Sequence, residues 1–301
     1  MGAADLVPGV SGGTIALITG IYKELLDSIN KFSWQEIKLI KNEGFTNVWR
    51  KLNGAFLLSL FAGIISSILL LSRILEWLII NEPIGLWSFF LGLLIASILF
   101  LIKKELKYNL KSLFYLSIGC LVSYLITQLS SAPNEAPIWY IFIAGFIGIS
   151  AMILPGLSGA YILFVMGVYQ KILSNVRQAQ DLIFSFNQEQ FIQVVSILSV
   201  FILGIFVGIK VFTRLLSWFL SRYHEETFSF LIGLMIGALG KVWPWQNNLT
   251  KLGEDIPNFN TPVLPQNFDG ASPQLEKALI LMFLGFVLLF VVEQSKVLLK
   301  K

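Results

Sequence analysis

The sequence predicts an all-α polytopic membrane protein built from two inverted-topology repeats, and three observations lead to this fold class. Hydrophobic residues make up 55% of the 301-residue chain and charged residues only 13%, which is about half the charged fraction usual in soluble domains. Apolar runs long enough to cross a bilayer recur along the whole length. A short motif, Pro-Gly-x-Ser-Gly, occurs twice in otherwise apolar surroundings, at Pro8 and at Pro155.

Six apolar segments each approach the length of about 20 residues that crosses the hydrocarbon core of a bilayer. They are residues 54–80, 84–103, 111–129, 191–220, 227–243 and 277–298. The mixed-charge segment 31–51 contains Trp34 and Trp49, and this composition is typical of an interfacial helix. Residues 244–276 are rich in Pro, Asn, Gln and Asp, which predicts an extramembrane loop.

The apolar stretch 138–169 is too long for one straight crossing. As a single helix its 32 residues would extend about 48 Å, and Pro155-Gly156 interrupts the stretch near its centre. Because proline removes a backbone donor and glycine permits a turn, we expect a re-entrant or broken helix here. The distribution of basic residues does not distinguish this hairpin from a single crossing, because both topologies give a bias of the same sign.

The two motif copies belong to a longer internal duplication. The stretch "PGVSGGTIALITGIYKELL" from Pro8 aligns with "PGLSGAYILFVMGVYQKIL" from Pro155 at a separation of 147 residues. Two further blocks follow in the same order at a separation of 141 residues, "RILEWLI" with "RLLSWFL" and "FFLGLL" with "FLIGLM". Collinear blocks predict two repeats, residues 1–130 and 131–301, each with a motif followed by three spans. The odd number of spans between the motifs predicts opposite orientations.

The motif carries residue types suited to binding an anion. Non-helical backbone at membrane depth requires a cavity or close protein packing around it, and helix starts attract phosphate and carboxylate groups. Gly13 and Thr14 stand opposite Ala160 and Tyr161, so we expect the first turn to be the richer donor set. The alternative is a kink whose small residues permit close helix packing, and the duplication favours binding. The candidate phosphate-binding residues are Ser11, Gly12, Gly13, Thr14, Ser158 and Gly159.

Charged residues inside apolar segments form a second set of candidates. Arg73 and Arg214 occupy equivalent positions in the two repeats, and arginine is suited to bidentate contact with phosphate. Because a charge at the membrane centre costs at least about 2.5 kcal/mol, we expect a paired cationic site, with snorkelling to an interface as the alternative. Asp5, Glu76 and Lys210 are candidate counter-ions or coupling groups, and structural ion pairing is an equal alternative for the acidic residues.

The remaining chemistry-bearing residues predict neither a catalytic centre nor a bound cofactor. His224 is the only histidine and Cys120 the only cysteine, so a metal site lacks a second soft ligand. No metal, catalytic residue, cofactor or nucleic-acid partner is predicted. Tyr22 and Tyr169 follow the two motif helices, where they are either anchors at the membrane interface or ligand contacts.

The stretches "GAADLVPGVSGGTIALITGIY" and "LPGLSGAYILFVMGVY" resemble the bacterial polyprenyl-phosphate transporter family, over essentially the whole chain. The resemblance implies translocation of undecaprenyl phosphate across the bacterial cytoplasmic membrane, so that this lipid carrier is reused in cell-envelope polymer synthesis. It implies no prosthetic group. Similar proteins usually have an apolar arm before the first motif, so the resemblance also implies that Met1 is an internal methionine of a longer chain.

Two other function classes compete with lipid transport. A membrane undecaprenyl-diphosphate phosphatase also uses inverted repeats and a Pro-Gly-x-Ser turn, but its motif needs an arginine beside the serine and a nearby acidic pair. Here glycine follows both Ser11 and Ser158, so hydrolysis lacks a positioned base. A small-anion transporter would use the same helix-start chemistry. A wide lateral opening would favour a lipid substrate, and a closed vertical pore would favour a small ion.

Overall fold

The computed structural model describes residues 1–2, 11–31, 44–127, 137–184, 187–251, 254–270 and 272–299. The helices are α1 Gly12–Ile18, α2 Tyr22–Lys31, α3 Phe45–Lys51, α4 Gly54–Asn81, α5 Pro83–Glu105, α6 Leu110–Thr127, α7 Ile138–Ile153, α8 Gly159–Val165, α9 Tyr169–Phe184, α10 Gln188–Arg222, α11 His224–Gly237 and α12 Leu275–Leu299. Between α11 and α12 lie a 3-10 turn at Leu239–Val242, strands β1 Gln246–Lys251 and β2 Glu254–Pro262, and a 3-10 turn at Pro265–Asn267.

The chain is a multi-pass helical membrane protein. Within the described residues, α5, α6 and α10 are each long and apolar enough to cross a membrane, and a fourth candidate is Phe45–Lys51 with Gly54–Ser67, bent by 71°. Large apolar side chains cover the outer surface; Leu70, Phe206 and Phe283 are 72%, 65% and 65% exposed. Exposed apolar surface on this scale is expected where side chains face lipid, and the helical membrane-protein prediction is confirmed at this level.

Most predicted spans coincide with helices, and two details differ. The predicted span 227–243 ends too late, because α11 stops at Gly237 and a 3-10 turn follows. The predicted loop 244–276 contains an antiparallel pair of strands, in which Gln246 pairs with Pro262. The sequence does not predict these strands. Of the predicted interfacial segment 31–51, residues 32–43 lie outside the described residues.

Four helices form two parallel pairs, since α5 packs along α12 and α6 packs along α11. Glu82 forms an ion pair with Lys277 where α5 and α12 begin. Lys107 forms an ion pair with Glu225 where α6 and α11 begin. Because α5 ends where α6 begins, the two helix pairs run in opposite directions.

The two pairs share one kind of close backbone contact. A Cβ atom at Gly92 of α5 would lie 1.8 Å from the Met282 carbonyl oxygen of α12, and one at Gly233 of α11 would lie 2.1 Å from the Leu116 carbonyl oxygen of α6. Gly92 and Gly233 are the glycines of the duplicated "FFLGLL" and "FLIGLM" blocks. Small residues permit this close approach of helix backbones, so the duplicated blocks make the same type of contact in both halves.

The largest buried hydrophobic cluster connects these helices to both motif segments. It includes Leu26 of α2, Leu91 of α5, Leu157 after α7, and Leu231 and Met235 of α11. The motif segments are therefore held by the central core and not by peripheral loops, which fixes the position of the site described below.

Candidate functional site

The second motif forms the predicted break in an apolar segment. Helix α7 ends at Ile153 and α8 begins at Gly159, and Gly156 between them has φ of +84°, a conformation that favours glycine. A Cβ atom at Gly159 would lie 2.7 Å from the Gly148 carbonyl oxygen, and one at Gly148 would lie 3.0 Å from the Leu163 side chain. Helix α8 therefore folds back along α7 as a hairpin.

Ser11 ties the first motif to the end of α7. Its Oγ accepts a hydrogen bond from the Gly13 N–H at 3.1 Å, which makes Ser11 the N-cap of α1. The same hydroxyl lies 3.2 Å from the carbonyl oxygens of both Met152 and Leu154. Ser11 is only 2% exposed, so its hydrogen-bonding capacity is used within the protein. Residues 3–10, which include Pro8 and Gly9, lie outside the described residues.

Further contacts join the two motifs directly. The Thr14 Oγ1 accepts a hydrogen bond from the Gly156 N–H at 3.0 Å. The Tyr22 hydroxyl donates to the Ile153 carbonyl oxygen at 3.0 Å, and a Cβ atom at Gly13 would lie 2.4 Å from that oxygen. The last carbonyls of a helix have no partner within the helix. The first motif therefore satisfies the polar backbone groups that the break after α7 exposes.

A cavity of about 220 Å³ lies beside this contact. It is smaller than the pockets of about 300–1,000 Å³ that enclose drug-sized ligands. Met152 and Tyr169 are 40% and 38% exposed, so the cavity opens to the exterior beside them. The lining residues are Ser11, Gly148, Ile149, Met152, Leu157, Ser158, Gly159, Leu163, Tyr169, Phe201 and Ile205.

The second motif presents hydrogen-bonding groups to this cavity that the protein leaves unused. The Ser158 Oγ receives one long contact, 3.5 Å from the Tyr161 N–H, and its own proton has no acceptor in the described part of the chain. The Tyr169 hydroxyl and the Gly159 N–H likewise have no hydrogen-bond partner among the described residues. Ser11 also lines the cavity, but its hydroxyl and that of Thr14 make protein contacts. The donors of Ser158, Gly159 and Tyr169 line the cavity without a protein acceptor among the described residues.

The rest of the lining is hydrophobic. Ile149 and Met152 come from α7, Leu163 from α8, and Phe201 and Ile205 from α10. Hydroxyl groups therefore share one small space with aliphatic and aromatic side chains. This arrangement suits a molecule that has a polar end joined to an apolar chain.

The predicted basic residues of α10 lie away from the cavity. Arg214 is exposed and lies nine residues beyond Ile205, which is about 13.5 Å along the helix axis. The Lys210 Nζ donates to the Ile29 carbonyl oxygen of α2 at 2.8 Å. The adjacent Asn30 makes further hydrogen bonds to α10. The structure therefore places Lys210 in a polar contact between α2 and α10.

The other predicted charged residues remain predictions. Arg73 and Glu76 belong to α4, but their side chains lie outside the described part of the structure, as does the whole of Asp5. The paired arginine site therefore stays a prediction from the sequence.

Lys241 is a basic residue that sequence reasoning does not single out. Its Nζ lies 4.7 Å from the centroid of the Tyr161 ring, which places a cation next to the second motif helix. The sequence could have indicated this residue, because Lys241 is the single basic residue of the apolar segment 227–243.

Comparison with known proteins relates this chain to one family. The undecaprenyl phosphate translocase-like family matches residues 1–257. A polyprenyl-phosphate transporter of Vibrio cholerae serotype O1 is 38% identical over 301 residues, which cover 98% of this chain and 93% of the relative. A polyprenyl-phosphate transporter of Staphylococcus aureus is 29% identical over 256 residues, which cover 81% of this chain and 83% of the relative. No solved structure matches the chain significantly.

Proposed function

We propose, on the premise that this chain belongs to the undecaprenyl phosphate translocase-like family, that it translocates polyprenyl phosphate across the bacterial cytoplasmic membrane. The substrate in this proposal is undecaprenyl phosphate, the lipid carrier recycled in cell-envelope polymer synthesis. The observation that carries the proposal is the cavity at the contact of the two motifs, which combines unused hydroxyl groups with an apolar wall.

The size and opening of the cavity support a lipid substrate. A space of about 220 Å³ accepts a phosphate head and the beginning of an isoprenoid chain but not a long tail. The tail must leave through the opening beside Met152 and Tyr169 and lie in the surrounding lipid. A transporter of small anions needs no apolar wall around its ligand, so the apolar wall favours the lipid.

The phosphate head in this proposal contacts the second motif. The Ser158 hydroxyl and the Gly159 N–H donate to its oxygens, while the buried first motif, Ser11 to Thr14, forms the floor and holds the turn. A phosphate taken from water without a counter-charge is costly. Arg73 and Arg214 therefore supply positive charge along the path to and from the cavity, and Asp5, Glu76 and Lys210 balance or couple that charge.

Alternation of two inverted-topology repeats, residues 1–130 and 131–301, moves the head from one leaflet to the other in this proposal. The directions of the helices support inversion, because α5 and its equivalent α11 run in opposite directions. The repeated ion pairs, Glu82 with Lys277 and Glu225 with Lys107, support it further.

Cysteine labelling tests the inversion. Phe45 and Asn187 are exposed and precede the first long helix of each half. In a Cys120→Ala background, Phe45→Cys and Asn187→Cys are expected to react with an impermeant maleimide from opposite sides of the membrane. Reaction of both positions from the same side would rule out the inverted arrangement.

Translocation is tested with purified protein in lipid vesicles that contain a fluorescent short-chain polyprenyl phosphate. Protein-dependent exposure of the inner-leaflet probe to an external quencher is expected, whereas the matching polyprenol without phosphate should not cross. Release of phosphate from undecaprenyl diphosphate would instead indicate a phosphatase. Flux of inorganic phosphate without lipid movement would indicate a small-anion transporter.

A further inference from the structure

We propose that Tyr169 contacts the substrate directly and that its hydroxyl donates a hydrogen bond to the phosphate head. The inference rests on the proposed function, because it takes polyprenyl phosphate as the ligand of the cavity. It also assigns different roles to the two tyrosines of the duplicated motif. Tyr22 holds the protein together, and Tyr169 recognises the substrate.

The two tyrosines are equivalent in sequence and backbone. Tyr22 and Tyr169 are separated by 147 residues, like every other matched pair of the motif. Each is the first residue of its helix, α2 or α9. Each follows by two positions a glycine with φ of +71°, Gly20 or Gly167. The same local backbone therefore presents both side chains, and any difference between them comes from their surroundings.

Tyr22 is committed to a protein contact. It is 3% exposed, and its hydroxyl donates to the carbonyl oxygen of Ile153, the last residue of α7, at 3.0 Å. A helix-terminal carbonyl in a buried place needs such a partner. This hydroxyl is therefore unavailable to a ligand.

Tyr169 has the opposite surroundings. It is 38% exposed and lines the cavity together with Ser158. Its hydroxyl has no hydrogen-bond partner among the residues that the structure describes. A hydroxyl on the cavity wall without a protein acceptor is available to a ligand, and a phosphate oxygen in the cavity would supply an acceptor.

The phenol ring adds a second contact. Because the cavity opens beside Tyr169 and Met152, a chain that leaves the cavity passes along the ring of Tyr169. One side chain then touches both parts of the substrate, with its hydroxyl on the head and its ring on the first isoprenoid unit. The variant Tyr169→Phe separates these contacts, since it retains the ring and removes the hydroxyl.

The test compares Tyr169→Phe with Tyr22→Phe in the full-length purified chain. The probes are farnesyl phosphate and farnesol, which share a tail and differ in the head. Tyr169→Phe is expected to bind farnesyl phosphate about tenfold more weakly or worse, as for loss of a hydrogen bond to a charged group, and to bind farnesol unchanged. Its melting temperature should stay at the wild-type value. Tyr22→Phe is expected to melt at a lower temperature while its folded fraction binds farnesyl phosphate with wild-type affinity.

A second measurement does not depend on a stable variant. Fluorotyrosine placed at position 169 or 22 of the full chain reports the environment of each ring through its fluorine resonance. Farnesyl phosphate is expected to shift the resonance at position 169, with a smaller shift from farnesol and none at position 22. Wild-type affinity in Tyr169→Phe together with an unmoved resonance at position 169 would overturn the inference. If the wild-type chain does not prefer farnesyl phosphate to farnesol, the proposed function fails and the inference fails with it.

Discussion

The two copies of the motif have nearly the same sequence and different surroundings. Both serines line the cavity, but Ser11 is 2% exposed and bonded to the end of α7, whereas Ser158 is partly exposed and its proton has no acceptor among the described residues. Tyr22 is 3% exposed and Tyr169 is 38% exposed. The duplication therefore gives two motif copies with different structural roles. The first copy completes backbone hydrogen bonds of the second, and the second copy keeps donors that have no protein acceptor among the described residues.

The cause of the difference is the break after α7. A helix that ends inside an apolar protein leaves carbonyl oxygens without partners. The first motif meets this need with the hydroxyls of Ser11 and Tyr22, and Thr14 accepts the N–H of Gly156 in the turn itself. These polar groups of the first copy are therefore hydrogen-bonded within the protein. The donors that lack a protein acceptor among the described residues belong to the second copy.

The largest effect is expected from Gly13→Ala, which attacks the contact between the copies. The added Cβ atom would lie 2.4 Å from the Ile153 carbonyl oxygen, so backbone must move. Overpacking of this kind typically costs about 1–3 kcal/mol, and a backbone neighbour places it at the upper end. We expect a large fall in melting temperature in detergent. The matched control is Gly63→Ala in α4, where a Cβ atom has nothing within 4 Å, and equal stability of the two variants would contradict the account.

The next effect is expected from Thr14→Val, which removes the acceptor for the Gly156 N–H. Leaving a buried donor unsatisfied costs about 1–3 kcal/mol, while the shape of the side chain is retained. We expect lower stability and faster hydrogen exchange at the Gly156 amide. Thr14→Ser keeps the acceptor and should exchange more slowly than Thr14→Val. Exchange at the wild-type rate in Thr14→Val would show that this bond does not hold the turn.

Smaller effects are expected from alanine at the two motif serines, on stability at Ser11 and on ligand binding at Ser158. Ser11→Ala removes an N-cap and should lower the free energy of unfolding by about 1 kcal/mol, with the affinity of the folded protein for farnesyl phosphate retained. Ser158→Ala should leave the melting temperature unchanged and weaken binding of farnesyl phosphate. Melting curves and binding isotherms of both variants check the pattern. The same outcome in both variants would remove the distinction between the copies.

The sequence predicts much of this arrangement. It also predicts two unequal turns, but with the first as the richer donor set, whereas the structure engages the hydroxyls of the first turn in protein contacts. Composition and run length predict the membrane helices, and Pro155-Gly156 predicts the break between α7 and α8 because those residues disfavour helix. The strands after α11 form a local hairpin of polar residues, whose composition is equally typical of an irregular loop. The roles of Ser11 and Ser158 could not be separated, since both are serines in the same local pattern and differ only in which neighbouring groups lack partners.

The position of the arginine candidates relative to the cavity could not be predicted from the sequence either. The separation of 141 residues pairs Arg214 with Arg73 along the sequence, and this pairing stays a prediction. It contains no information on which side of α10 faces the cavity, or on how far along the helix the cavity extends. The structure shows Phe201 and Ile205 lining the cavity and Arg214 further along the same helix.

Cysteine protection measures whether the head group binds beside the second motif. Because Cys120 is the only cysteine, a Cys120→Ala background permits Ser158→Cys and Ser11→Cys to be labelled individually. We expect Ser158→Cys to react with a small maleimide. Farnesyl phosphate, but not farnesol or inorganic phosphate, should slow this reaction. Ser11→Cys should react slowly and show no response to farnesyl phosphate. Equal labelling of both positions, with no protection of Ser158→Cys by farnesyl phosphate, would contradict the account.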